Sequence, residues 1–404
     1  MSKPLLTLPL LTLAEAQALI ARHIAPCPGS ESLPVIEAVG RVLASDVSAT
    51  RLLPAADNSA VDGYALRTAD AGPRRVIGRA AAGAPFAGCL GPGEAVRIFT
   101  GALLPAGADA VAMQECADVA EGMLRLAAEP RPGANIRRAG EVLKPGERVL
   151  AAGLRLSPLH LGLLADLGAA DVLVRCRPRV ALISSGDELV PAGTPTEDHQ
   201  VVDSNRPMLR EWLRGAGCRV TDWPILPDRR AVIAEALHEA AASHDLVVTT
   251  AGMSVGDEDH VPAVLKDSGG MIFHRLAIKP GRPVGLGRIG QTPVLGLPGN
   301  PGAAAVVFTV LGRGLVRRLA GETPDGVQRL RLPAGFAFEK AAGDRIYLPG
   351  RLTAEGRIER LTAAMAGNLA WSGQATGLIE MPEPAAAIVP GDPVAFIPFP
   401  GTLP

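Results

Sequence analysis

Between residues 179 and 320 of this 404-residue chain, short apolar runs alternate with amphipathic stretches in a regular rhythm. RVALISS (179–185), CRVTDWPIL (218–226), DLVVTT (245–250), MIFHRLAI (271–278) and PVLGL (293–297) read as strands, rich in β-branched residues and bounded by turn residues. NRPMLREWLRGAG (205–217) reads as a helix, with Pro207 in its first turn and glycines at its end. RRAVIAEALHEAAASH (229–244), with Asp228 as its cap, then HVPAVLKD (260–267) and GAAAVVFTVLGRGLVRRL (302–319) supply further helices. This alternation predicts an α/β domain with a mostly parallel sheet over residues 179–326.

The texture changes on either side. Residues 51–140 carry brief apolar runs (RVIGRA, EAVRIF, DAVAMQ, MLRLAA) among Gly, Ala and Pro, and predict a small β domain. Residues 327–404 repeat the habit with VQRLRLP, RIYLPG and DPVAFIPF, a second β domain. Residues 1–50 and 141–178 have helical character and are expected to pack together as one discontinuous domain. Within the first segment, Thr12 and Glu15 have capping-box spacing ahead of LAEAQALIARHI. The fold class expected is therefore multidomain α/β plus β.

Length and composition narrow the function. A chain of 404 residues exceeds what one core organises. Forty basic against 41 acidic residues, with no basic stripe, argue against a nucleic-acid partner. The five cysteines, Cys27, Cys89, Cys116, Cys176 and Cys218, are scattered without a C-x-x-C pair, which fits neither a disulfide framework nor a zinc site and suggests the cytoplasm. The N-terminal MSKPLLTLPLL is interrupted by prolines and lacks a clean cleavage site, so it is not expected to be a signal peptide. PGAAAVVFTVLG falls short of the ~20 residues a bilayer span needs, so no membrane segment is expected.

Ligands of open α/β sheets bind beyond the carboxyl ends of the strands. Three glycine-bearing loops fall there: SSGDEL, with Ser185, Gly186, Asp187 and Glu188; TAGMSVGDED, with Gly252, Ser254, Gly256, Asp257, Glu258 and Asp259; and LPGNPG, with Pro298, Gly299, Asn300 and Pro301. Glycine lets backbone approach a ligand closely, and a helix N-terminus offers free N–H groups to an anion. RLAIKPGRP adds Arg275, Lys279 and Arg282, and NIRRAGE adds Arg137 and Arg138. Repelling carboxylates beside fixed cations suit Mg²⁺ bridging to a phosphorylated substrate, with Asp187, Glu188, Asp257 and Asp259 as candidate ligands. There is no P-loop motif, and GRPVGLGRIG lacks the strand-to-helix context of a dinucleotide fingerprint. PAADNSAVDGYALR, with Asp57, Asn58, Ser59 and Asp62, reads by itself as an Asx-rich turn.

In this order and spacing, PAADNSAVDGYALR, RIFTGALLPAGADAVAMQE, NIRRAGE, PRVALISSGDEL, DSNRPML, TAGMSVGDED, LAIKPGRP and LPGNP resemble the MoeA-type molybdopterin molybdenumtransferase family over nearly the whole chain. The resemblance implies an elongated homodimer of four domains, the α/β unit being of the molybdopterin-binding type. It implies insertion of molybdenum from molybdate into adenylylated molybdopterin, with Mg²⁺-dependent release of AMP. Ser185 to Glu188, with Asp203, Ser204 and Asn205, would hold the adenylylated pterin. Ser254 and Asp259 would serve cleavage of the pyrophosphate bond, with Asp228 nearby. Lys279 and Arg282 would attract molybdate, and Ser372, in WSGQ, would contact substrate. Asp62 and Thr100 would reach the cleft from the partner subunit. An adenylyltransferase supplying the substrate and molybdoenzyme clients receiving the product are the partners it implies.

The chain departs from the family pattern in places. Val142 replaces an acidic residue after Gly-Glu, Ala303 replaces a serine in GNPVSA, and Pro349 stands where an arginine is usual, with Arg345 and Arg351 as nearby substitutes. Losing a hydroxyl and a charge weakens an oxyanion site. These departures keep open a non-catalytic carrier of the cofactor; the other alternative is a molybdopterin adenylyltransferase, whose kind shares this α/β fold, with the extra domains and the KPGRP turn counting against it.

Overall fold

The computed structural model describes residues 10–253, 259–323, 326–362, 367–384 and 386–399. The run RVALISS forms strand β1 (Arg179–Ser185), buried along nearly its whole length because strands flank both edges and helices cover both faces. Its alternation sorts the layers. Val180 and Leu182 pack with Leu209, Leu213, Val306 and Leu315. Ala181 and Ile183 pack on the other face with Ile233, Leu237, Val264 and Leu265.

The chain continues through α1 (Asn205–Gly215), β2 (Arg219–Leu226), α2 (Arg230–Ser243), β3 (Leu246–Thr250), α3 (Val261–Asp267), β4 (Phe273–His274), β5 (Gly285–Ile289), β6 (Thr292–Leu297) and α4 (Pro301–Val307). The α4 helix runs on through a π turn, Phe308–Gly312, into Arg313–Leu319. Sheet order is β2-β1-β3-β6-β5-β4. The pairs up to β6 are parallel, whereas β5 pairs antiparallel with both β6 and β4. The GRPVGLGRIG stretch thus ends in β5, the first arm of an antiparallel hairpin with β6.

Two details differ from the sequence reading. Asp228 does not cap α2; Arg229 occupies that position without a side-chain bond. The run MIFHRLAI is not one strand. Arg275 has φ of 72°, a left-handed backbone that ends β4. The chain resumes as strand Ile278–Lys279 in a different sheet, parallel to Arg345–Leu352 of the C-terminal region.

That C-terminal sheet runs Ile278–Lys279, Arg345–Leu352, Gly377–Met381, Pro393–Pro398 and Leu330–Pro333. The small β domain is a second sheet, with strand order Ala110–Met113, Gly63–Leu66, Glu94–Ile98, Arg74–Ala80, Met123–Leu126 and Ala117–Ala120. Segments 30–50 and 148–175 pair through Ser30–Pro34 with Asp171–Arg175 and share a core of Val35, Leu43, Leu150, Leu164 and Val174. The helix Leu13–His23 has its capping box in place, and its buried stripe of Leu13, Ala16 and Ile20 joins the α/β core. Among the described residues, no helix is long and apolar enough to cross a membrane.

Two buried carboxylates organise ion-pair clusters, the first of them between parts of the chain. Glu322 accepts from Arg155 of the discontinuous segment and from Arg317 of the α/β domain at 2.6 Å. In the C-terminal sheet, Glu380 accepts from Arg329 (2.5 and 3.0 Å), Arg345 (2.8 Å) and the Tyr347 hydroxyl (3.0 Å). Burial pushes the Glu380 carboxyl up, but its arginine partners together outweigh this and hold it below the usual range. Glu380→Ala takes the carboxylate from Arg329 and leaves Arg345 with Glu383 alone, and is expected to lower the opening free energy of the Gly377–Met381 amides by about 3 kcal/mol. Hydrogen exchange measures this, with the more exposed Glu383→Ala costing about 1 kcal/mol or less.

Candidate active site at the carboxyl edge of the central sheet

After β1 the chain turns to the α1 face, and after β3 it turns to the opposite, α3 face. Two adjacent parallel strands with diverging connections leave a crevice beyond their ends. A cavity of about 740 Å³ opens there. Its walls are Glu188 and Leu189 after β1, Val201 to Asn205 entering α1, Thr250 to Met253 with Asp259 after β3, Pro298 to Pro301 entering α4, and Pro283. A further wall, Gly367 to Ala370, comes from the C-terminal region.

Hydrogen bonds shape the loops. Asp203, nearly fully buried, accepts from the Arg206 amide (3.1 Å) and Nε (3.0 Å), so both its oxygens hold the loop that starts α1. Asn205 donates its side-chain amide to the Gly299 carbonyl at 2.7 Å, tying the α1 start to the α4 start. Its Oδ1 is buried without a protein partner. A buried acceptor left unmade costs stability, which a ligand donor would recover. Asn300, at the N-cap of α4, makes no side-chain cap bond, and the residues that start α4 and α1 both line the cavity. Such paired helix starts favour an anion.

The β3 loop is held from below. Ala251 and Gly252 are left-handed, with φ of 72° and 65°. A Cβ on Gly296 would lie 2.1 Å from Met253 Sδ, and one on Gly285 2.3 Å from Met253 Cε, so Met253 seats against two glycines. Buried His274 donates Nε2–H to the Met253 carbonyl at 2.8 Å.

Of the residues expected to form the site, Glu188, Asp203, Ser204, Asn205, Gly252, Asp259, Pro298, Gly299, Asn300 and Pro301 line the cavity. Ser185 closes β1 behind Gly252, and the Glu188 carboxylate folds over Gly186, where a Cβ would lie 2.6 Å from Oε2. Asp187 points elsewhere. Its Oδ1 accepts the Asp228 amide (3.2 Å) and its own amide donates to Asp228 Oδ2 (3.3 Å), which locks two strand-end loops together. Ser254, Gly256 and Asp257 lie outside the described residues. Lys279 is exposed on its C-terminal-sheet strand, and Arg282 is ion-paired with Asp344 at 2.5 Å, so neither lines the cavity. Arg275 serves the turn after β4, and Arg137 pairs with Glu141 at 2.8 Å. Ser372 sits exposed in the one-turn helix that begins at the wall residue Ala370. Asp62 Oδ1 accepts the Thr100 amide (2.8 Å) and hydroxyl (2.9 Å) in the small β domain, away from this chain's cavity. Those bonds, the amide first, hold the Asp62 carboxyl below the usual range.

The metal expectation is narrowed by the donor set. Among the described residues, no three His, Cys, Asp or Glu side chains gather closely enough to hold an ion. Asp187, Glu188 and Asp259 therefore form no protein-only cage, because Asp187 is turned to Asp228. Glu188 and Asp259 do share the cavity. One or two carboxylates plus phosphate oxygens is the manner in which Mg²⁺ is usually held, and this pair fits it.

The departures also have structural addresses. Ala303 is buried in the first turn of α4. Pro349 lies in strand Arg345–Leu352 opposite Leu378. Neither proposed stand-in is a spare cation: Arg345 is committed to Glu380 and Glu383, and Arg351 to Glu359 at 2.5 Å. Sequence reasoning missed Gly367 to Ala370, which reach the cavity only through folding, and the apolar rim residues Leu189, Val201 and Val202. Val201, 54% exposed, had a readable signal, an apolar pair placed before a helix start.

The buried His274 makes the β3 loop sensitive to acid. Burial pushes its pKa below the usual value, so the folded chain holds the imidazole neutral. Its contribution is complete above the unfolded pKa of about 6.5 and is lost as pH falls through that value towards the folded one. Denaturation midpoints of the wild type are expected to drop between about pH 7 and 5, and His274→Gln to lack that portion of the slope.

Comparison with known proteins followed the geometry. Residues 11–168 match the family model for the MoeA N-terminal region (domain I and II), 181–318 that for a probable molybdopterin binding domain, and 331–399 that for the MoeA C-terminal region (domain IV). The chain is 35% identical over 404 residues to the molybdopterin molybdenumtransferase of Haemophilus influenzae, covering 96% of this chain and 99% of that protein. It is 34% identical over 393 residues to molybdopterin molybdenumtransferase 2 of Mycobacterium tuberculosis, covering 93% and 96%. A crystal structure of the molybdopterin biosynthesis moeA protein of Pyrococcus horikoshii superposes with a TM-score of 0.86 at 27% identity, covering 97% of this chain and all of that one.

Proposed function

The chain belongs to the MoeA family of molybdopterin molybdenumtransferases, and from that premise we propose that its cavity binds adenylylated molybdopterin, accepts molybdate and releases AMP. It is a transferase of molybdenum cofactor biosynthesis. The observation that carries the site assignment is the convergence of two helix starts, the unpartnered Asn205 Oδ1, and the Glu188 and Asp259 carboxylates on one cavity. Helix starts favour the phosphates, Asn205 accepts a donor from the pterin or base, and the apolar rim at Leu189 and Val201 suits a flat ring.

In this reading Glu188 and Asp259 would hold Mg²⁺, which when bound would supply charge neutralisation for the pyrophosphate. Lys279 and Arg282, at the rim, raise the local concentration of molybdate. Ser254, Gly256 and Asp257 belong to the same loop as Asp259 and are assigned with it. Asp62 and Thr100 act across a homodimer, since they lie apart from their own chain's cavity. An exposed apolar patch on the discontinuous domain supports self-association: Ile36 is 83% and Leu159 85% exposed. Five free thiols support a reducing, cytoplasmic setting. Neither a carrier nor an adenylyltransferase is favoured, because relatives matching the chain end to end carry the molybdenumtransferase name.

Purified protein loaded with adenylylated molybdopterin is expected to release AMP only when molybdate and Mg²⁺ are added. Asp259→Ala should lower the rate by about a hundredfold while retaining bound substrate. Lys279→Ala should raise the molybdate requirement by about tenfold. Release that ignores molybdate or a chelator would overturn the reading. Mixing Asp62→Ala with Asp259→Ala protein tests the dimer, since a mixed dimer restores one complete site and AMP release should partly return.

A further inference from the structure

In the small β domain, Arg79 and Arg97 make no ion pair with a carboxylate among the described residues. Strands Gly63–Leu66, Glu94–Ile98 and Arg74–Ala80 lie side by side, and their register sets Tyr64 opposite Arg97 and Arg97 opposite Arg79. Residues directly opposite share a face of the sheet. The Arg97 guanidinium carbon lies 5.0 Å from the centre of the Tyr64 ring and 4.8 Å from that of Phe99. Arg79 lies 4.7 Å from the same Phe99 ring. Rings and guanidinium groups therefore alternate, with exposed Arg79 at the outer end.

Like charges directly opposite one another destabilise a sheet. Other arginines of this domain are answered by carboxylates: Arg74 pairs with Glu129, Arg75 with Glu94, and Arg138 with Asp57. Arg97 instead donates to the Gly63 carbonyl (3.2 Å) and to Gln114 Oε1 (2.5 Å), which fixes it without neutralising it. Arg79 makes no ion pair or hydrogen bond among the described residues. Stacking on the Phe99 ring leaves the N–H fork of Arg79 unengaged among the described residues, an arrangement suited to bidentate oxyanions, with the positive charge of Arg97 beside it. The stack also adjoins the Asp62–Thr100 pair. Thr100 follows Phe99 directly, and Arg97's charge reaches Asp62.

We propose that Arg79 and Arg97, held on Phe99 and Tyr64, form a binding surface for a doubly charged tetrahedral oxyanion, a phosphate monoester or molybdate, beside Asp62 and Thr100. The inference rests on the molybdenum-insertion reading, in which this edge faces the partner subunit's cavity. The surface would steer the anion towards that cavity and hold it at the mouth.

Calorimetry on the full chain tests it, with AMP, molybdate and adenosine as probes for the wild type and for Arg79→Ala. The variant is expected to bind AMP or molybdate about tenfold more weakly and adenosine unchanged, and whichever affinity falls identifies the anion. Arg79→Lys should recover part of the loss, because lysine keeps the charge and lacks the fork. Phe99→Leu, which leaves both charges and removes their platform, should weaken the same ligand by a smaller factor. Equal affinities for both anions in wild type and Arg79→Ala would overturn the surface. A wild type that binds neither anion would overturn the molybdenum-insertion reading, and the surface with it.

Discussion

Strands β1 and β3 share a parallel ladder from Val180 and Leu246 to Ser184 and Thr250, yet the chain leaves them towards opposite faces of the sheet. That divergence opens the crevice, and the other features of the site depend on it. Strand ends at such a point cannot satisfy each other's backbone, so loops rich in Gly, Pro, Ser and Asp take over. The bond from the Asn205 amide to the Gly299 carbonyl then fixes the distance between two helix starts. One side-chain amide thereby ties the starts of two helices at the mouth of the cavity, while its oxygen is buried without a hydrogen-bond partner among the described residues.

The C-terminal region is more than an appended domain. It takes the strand Ile278–Lys279 out of the α/β segment, supplies Asp344 to Arg282, and places Gly367 to Ala370 against the cavity. The buried Glu380 cluster stiffens the sheet that holds this wall, because each carboxylate oxygen is committed to a cation. Positions of Lys279 and Arg282 therefore depend on two sheets at once. Ala303 and Pro349 lie on those same two elements, and Arg345 and Arg351 are too firmly paired to replace a missing cation.

Legibility differed by element for physical reasons. Buried strands and amphipathic helices of the central domain could be read locally, since RVALISS and LVVTT are apolar whichever partner they meet, and the Thr12–Glu15 box acts within one turn. The loops at strand ends announced themselves by composition. MIFHRLAI misled because apolar residues continue across a change of sheet, and only the left-handed Arg275 marks the break. Asp187 and Asp228 each looked like a free carboxylate or a cap in isolation, and became a mutual lock only when β1 and β2 were side by side.

By itself, then, the order of residues determined which stretches become strands and helices, which loops carry the charge and glycine of a binding site, and through its motifs the family. Tertiary structure alone decided which of those charges meet. It put Glu188 and Asp259 on one cavity, turned Asp187 away, committed Arg282 to Asp344, and set Arg79 and Arg97 against one Phe99 ring. Hydrophobic periodicity is a local property, whereas the pairing of charges depends on distances of a few ångströms between segments far apart in the chain, and only packing sets those distances.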